Sequence, residues 1–141
     1  MAFDVSVSPI YSTHLGVVWL CGRFFPNGSS APTTFYGNWI SSIAHTSTGI
    51  YTITVKPAFR AAMSLLGSFA SLNAPAAGLA TYRLAFGPIN LSTGSVVVHS
   101  YSDADGYYGA PILADIAAEA STFISVGLVL KETALADGSG F

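Results

Sequence analysis

Apolar and polar residues alternate along most of this chain. In "GIYTITV", residues 49–55, Tyr51, Ile53 and Val55 fall on one side and Ile50, Thr52 and Thr54 on the other, and Pro57 follows. That period of two describes a half-buried strand that ends where proline cannot extend it. "STFISVGLVLK", residues 121–131, repeats the pattern, with Ile124, Val126, Leu128 and Leu130 facing Phe123, Ser125, Gly127, Val129 and Lys131. The first set is expected in the core.

The remaining segments are read the same way. Residues 14–25, "HLGVVWLCGRFF", form a β-branched and aromatic run closed by "PNGSSAP", and residues 37–46, "GNWISSIAHT", place Trp39, Ser41, Ile43 and His45 opposite Ile40, Ser42 and Ala44. "LLGSFASLN", "ATYRLAF" and "GSVVVHSYS" add three strands, with turns expected at residues 75–78 and at Gly87-Pro88. Only "PILADIAAEAS", residues 111–121, has helical character, and at that length one helical turn or a loop fits equally well. The expectation is an all-β fold: one antiparallel β-sandwich or barrel-like domain over residues 1–141, with about seven or eight strands, Greek-key-like connections and at most one short helical turn. Residues 1–12 and 135–141 read as extended arms or frayed ends.

Composition sharpens this picture. Charged residues supply only 9% of the 141 residues while 51% are hydrophobic, against a usual charged share of about 25%. Some of the surface is therefore expected to meet protein rather than water. An aromatic share of 13% argues against disorder. Five Lys and Arg, dispersed along the chain, give no basic stripe for nucleic acid. No apolar run is long enough for a membrane span, and Asp4 stands where a signal peptide carries positive charge, so neither a membrane nor an export route is expected. Cys21 is a lone thiol with no intramolecular disulfide partner, read as a small buried hydrophobe.

Candidate chemistry is sparse. His14, His45 and His99 stand apart in strand-like contexts with no metal-ligand spacing, so they read as structural histidines, and no metal or cofactor is expected. "SDADG", residues 102–106, lacks the further oxygen ligands of a calcium loop and reads as a hairpin tip. No GxSxG elbow or facing carboxylate pair points to catalysis. The loop after the first strand is long for a hairpin and rich in hydroxyls and aromatics, without an acid or base apart from His45 between Arg23 and Lys56. Such a segment can pack and hydrogen-bond but cannot move protons, which makes Asn27, Ser29, Ser30, Thr33, Phe35, Tyr36 and Trp39 candidate protein-contact residues. Tyr107 and Tyr108 join them either as an aromatic platform for protein or sugar, or as ordinary core and rim aromatics.

Residues 22–55 hold eleven Ser and Thr. The order "GRF", "FPNGSSAP" and "SSIAHTSTGIYTITV" within them resembles small structural proteins of tailed bacteriophage virions, in which a "G.F.PNGSSA" loop precedes a segment of the form "SVARTSTGVYTVTF". The resemblance covers residues 16–56, and more weakly 122–133 through "FISVGLVLKET", and departs from the pattern at His45, where the family has Arg, and at Cys21. It implies a protein without catalytic residues that assembles as a homotrimer on the outer capsid surface of the virion and binds the major capsid protein, made in the host cytoplasm. Related domains serve as head fibre or tail pieces, so a receptor- or carbohydrate-binding module of a head fibre, tail fibre or tail tip is the alternative that the resemblance allows.

Overall fold

Burial alternates residue by residue in two neighbouring strands, and that alternation sets the architecture. The structure, a computed structural model, describes residues 7–8, 16–60, 63–73, 82–102 and 112–132. It contains β1 (Val7–Ser8), β2 (Val17–Phe24), β3 (Phe35–Tyr36), β4 (Ile40–Ser47), β5 (Ile50–Val55), β6 (Met63–Asn73), β7 (Tyr82–Asn90), β8 (Ser95–Ser102), β9 (Ile112–Leu113) and β10 (Phe123–Glu132). Along β5 and β8 every second side chain is buried. The fold is all-β, and a single 3-10 turn at Pro57–Phe59 is the only helical element among the described residues. Seven of the strands are long; β1, β3 and β9 have two residues each.

Two antiparallel sheets result. The first runs β1-β2-β10-β6, and β3 shares an edge of β2 with β1: β1 pairs with Trp19 and Leu20, β3 with Arg23 and Phe24. The second runs β4-β5-β8-β7, with β9 continuing beyond β5 along β8 at Tyr101 and Ser102. The hairpins β4-β5 and β7-β8 are local, whereas β10, late in sequence, inserts between β2 and β6. The turn at Thr48 and Gly49 closes the β4-β5 hairpin; Gly49 has φ 67, and a Cβ there would lie 2.6 Å from the Ser100 carbonyl oxygen, so only glycine fits.

The sheets pack face to face over one apolar core. Leu20, Phe24, Ile124, Val126, Leu128 and Leu130 come from the first sheet, and Ile40, Ile43, Tyr51, Ile53, Val55, Val96 and Val98 from the second. Phe24 and Tyr51 meet across the interface with ring centroids 5.3 Å apart.

Bulges alter the expected strand pattern at two places. In β4, Ile40 pairs with Val55 and Ser42 with Thr54, leaving Ser41 as the extra residue of a bulge. Ile40, Ile43 and His45 consequently face inward, where strict alternation separates Ile40 from the other two. The turn expected at Gly87-Pro88 is a bulge within β7, between Phe86 and Ile89, and the chain reverses at residues 91–94, where the Asn90 side-chain oxygen accepts the Ser92 and Thr93 N–H groups. Of the two readings of residues 111–121, the loop is the one found at residues 114–119, which have no regular secondary structure, and Ile116 is fully buried within them. The turn expected at residues 75–78, the tip at residues 103–106, His14, residues 135–141 and most of residues 1–12 lie outside the described residues.

Leu128 sits at the centre of β10 with 1% of its surface exposed. Replacing it with alanine is expected to cost about 2 to 5 kcal/mol, read as a lowered urea midpoint at unchanged slope.

Candidate functional site

The two outer faces of the sandwich differ in chemistry. On the second sheet, Ser42, Thr54 and Ser95 lie side by side across β4, β5 and β8, with Ala44, Thr52 and Val97 in the next row. Thr46 and Thr52 join their hydroxyls at 2.7 Å. Toward the far end this face carries Arg83, His99 and Tyr101. The hydroxyls of residues 41–54 thus form much of a solvated sheet surface.

The outer face of the first sheet is aromatic. Cross-strand register sets Tyr36, Arg23, Ser125 and Ser71 in one row, Cys21, Gly127 and Phe69 in the next, and Trp19, Val129 and Gly67 in a third. Tyr36 is 54% exposed, Phe69 40% and Trp19 38%. Of the seven large apolar side chains exposed among the described residues, five lie on β2, β3 and β6, so the apolar surface is concentrated on this sheet. Gly127 forms the floor: a Cβ on it would sit 2.0 Å from the Phe69 ring, so the ring lies directly over the glycine backbone.

Beside this floor opens a groove of about 540 Å³ lined by Cys21, Arg23, Tyr36, Phe69, Phe123 and Ser125 with neighbouring backbone. The Arg23 guanidinium carbon lies 4.9 Å from the Tyr36 ring centroid, 5.1 Å from Phe123 and 5.9 Å from Phe25. These are cation–π distances, and no carboxylate among the described residues pairs with Arg23. Cys21, expected in the core, is exposed here because its neighbour Leu20 takes the inward position on β2.

The loop between β2 and β3 is tied to the body. Phe25 N–H donates to the Thr34 carbonyl at 3.1 Å, Ser30 N–H to Asn27 at 3.0 Å, and Gly28 N–H to Ile116 at 3.0 Å, while Pro26 and Pro32 are buried. Asn27, Ser29, Ser30 and Thr33 are exposed on it, and Thr33 and Asn27 border a second hollow of about 450 Å³ shared with residues 118–120. Phe35 is half-buried against the core, and Tyr36 joins the aromatic face. Trp39 is unavailable to a partner: its exposure is 0%, and its Nε1–H donates to the Cys21 carbonyl at 3.0 Å, which anchors the loop end beneath β2. Tyr107 and Tyr108 lie outside the described residues.

One polar cluster escaped the sequence reading because its members are 70 residues apart. His45 Nε2 lies 2.7 Å from Asp115 Oδ1, and the same oxygen accepts the Gly49 N–H at 2.7 Å. The Tyr82 hydroxyl donates to the Asp115 carbonyl at 3.1 Å. Burial alone would raise the Asp115 carboxyl, but the Gly49 and His45 hydrogen bonds outweigh it and hold the group below its ordinary value of 3.8. Nearby, the Ser100 hydroxyl donates to the Ala114 carbonyl at 2.6 Å, so its proton is committed to backbone rather than to His45. The cluster clamps the β4-β5 hairpin to the 114–116 connection. No group of three or more potential metal ligands occurs among the described residues, nor a helix long and apolar enough to cross a membrane.

No known protein family matches the chain, and no characterised protein or solved structure is significantly similar to it.

Three substitutions test these contacts. Gly127→Ala should displace the Phe69 ring and cost about 1 to 3 kcal/mol. Phe69→Ala combined with it should cost less than the two separately, by more than about 0.5 kcal/mol, because the clash has been removed; a denaturant double-mutant cycle measures this. For Asp115 the sign follows from its depressed folded-state pKa: its contribution is complete above the unfolded value and is lost as pH falls through the folded one. The stability difference between the parent and Asp115→Asn should therefore shrink as the pH falls below about 4, followed by urea unfolding across acid pH.

Proposed function

We propose that this chain is a non-enzymatic structural protein of a tailed-phage virion, a homotrimeric decoration protein that sits on the outer capsid surface and stabilises the lattice by bridging major capsid subunits. The observation that carries the reading is the division of the outer faces: exposed aromatic side chains with Arg23 as their central charge on the first sheet, short hydroxyls across much of the second. A face of Trp19, Tyr36, Phe69 and Phe123 is costly to leave in water and favourable to cover with protein. Short hydroxyls keep the opposite face hydrated at little cost when part of it becomes contact. The sequence resemblance over residues 16–56 supplies the virion context, and the His45–Asp115 clamp, with its neighbouring hydroxyl committed to backbone, serves structure.

A receptor- or carbohydrate-binding module of a fibre or tail is the second reading. It draws on the groove between Tyr36 and Phe123, where flat rings and polar tips suit a sugar.

Particle stoichiometry separates the two. A decoration protein appears on a gel of purified particles at a copy number comparable with the major capsid protein, whereas a fibre or tail-tip protein appears at a small fraction of it. In solution, light scattering is expected to give three times the 14.6 kDa chain mass. Phe69→Lys, placed on the aromatic face, should weaken self-association or particle binding while leaving the fold intact; unchanged behaviour in both assays would remove that face from the interface.

A further inference from the structure

We infer that the Arg23 groove receives a carboxylate side chain of a partner protein, an Asp or Glu flanked by apolar residues. This rests on the proposed role of the aromatic face as a protein-docking surface, and it adds the chemistry of what docks.

No acid among the described residues pairs with Arg23. Arg23 carries five N–H donors, and rings of Tyr36, Phe123 and Phe25 cover it at 4.9 to 5.9 Å without accepting strong hydrogen bonds. Ring contacts of this kind do not satisfy the guanidinium N–H donors, which form paired bonds to a carboxylate when one is presented. Exposed to water, such an arginine is comfortable. Under a partner it is not, because a cation moved out of water without an anion incurs a heavy desolvation penalty. A protein covering this face is therefore best matched to it when it presents an anion at Arg23.

The surroundings specify the rest. The groove, about 540 Å³, has the size of a pocket for one or two side chains, not for a helix or a folded element. Its apolar wall includes Phe69 and continues past the groove toward Trp19, so the occupant extends beyond an isolated anion. Ser125, in the same row as Arg23, adds a hydroxyl beside the guanidinium. A carboxylate between two apolar or aromatic neighbours on an extended segment satisfies charge, size and apolar contact together.

Cys21, the only cysteine in the chain, lines the groove and is exposed, which makes its alkylation rate a reporter of occupancy. The probes are the peptide N-acetyl-Phe-Asp-Phe-amide and its uncharged isostere N-acetyl-Phe-Asn-Phe-amide, with neutral iodoacetamide as the label and mass spectrometry as the readout. The acidic peptide should halve the Cys21 labelling rate at about one tenth of the concentration that the amide peptide requires, as one charge-assisted interaction implies. Added salt should narrow the gap. Arg23→Met, checked for an unchanged melting profile, should erase the difference between peptides, and Arg23→Lys should retain part of it; if Arg23→Met does not fold, the parent and Arg23→Lys comparison alone decides. Equal protection by both peptides, or protection by neither, overturns the carboxylate assignment. The wider reading fails separately, through the Phe69→Lys assays of self-association and particle binding, so a failed peptide experiment with a sensitive Phe69→Lys variant would reject only the acidic partner.

Discussion

Hydrogen bonding of β10 along both edges, to β2 on one side and β6 on the other, is the constraint on which the rest of the structure depends. That position turns one strand into the spine of two surfaces. Its inward residues, Ile124, Val126, Leu128 and Leu130, form the floor of the core; its outward residues, Phe123, Ser125, Gly127 and Val129, form the centre of the aromatic face. A one-residue slip in its pairing would exchange the two sets, exposing four aliphatic side chains and burying Lys131. The apolar inward set therefore fixes the register, and through it the positions of Arg23, Cys21 and Phe69.

Glycine at position 127 shows how closely the two surfaces are coupled. The Phe69 ring can lie over the strand only because no Cβ rises from Gly127 between Cys21 and Phe69. The aromatic face is flatter there than a face of full side chains, and flatness suits contact with another protein. Arg23, a charge at the heart of that face, is held among rings, and no acid among the described residues pairs with it. In the proposed docking role, a protein that covers this surface answers the Arg23 charge.

The second sheet has a different organisation. Its inner face meets the core through Tyr51, Ile53, Val96 and Val98, and its outer face spreads Ser and Thr across β4 and β5. Asp115 secures the end of the sheet by accepting from Gly49 and pairing with His45, which holds the hairpin against the long connection to β10. The clamp and the aromatic face are built from different residues, so changes on the aromatic face need not disturb the clamp.

Alternation by itself determined the strand class and the phase of β5 and β10, because a side-chain period of two is a local property of extended backbone and needs no knowledge of neighbours. The same reasoning placed Ile53, Val55 and Leu128 inside. Low charge likewise pointed to contact with protein without saying where. Tertiary structure decided the rest. Bulges at Ser41 and in β7 reset the phase where pairing with a neighbouring strand demanded it, so Ile40 turned inward and Gly87-Pro88 stayed within a strand. Trp39 went to the core because an indole N–H reached the Cys21 carbonyl, a partner 18 residues away. His45 met Asp115, and Arg23 met Tyr36 and Phe123, only because strands distant in sequence became adjacent. Side chains on a strand know their own face; which residues they share it with is settled by the order and register of the sheet.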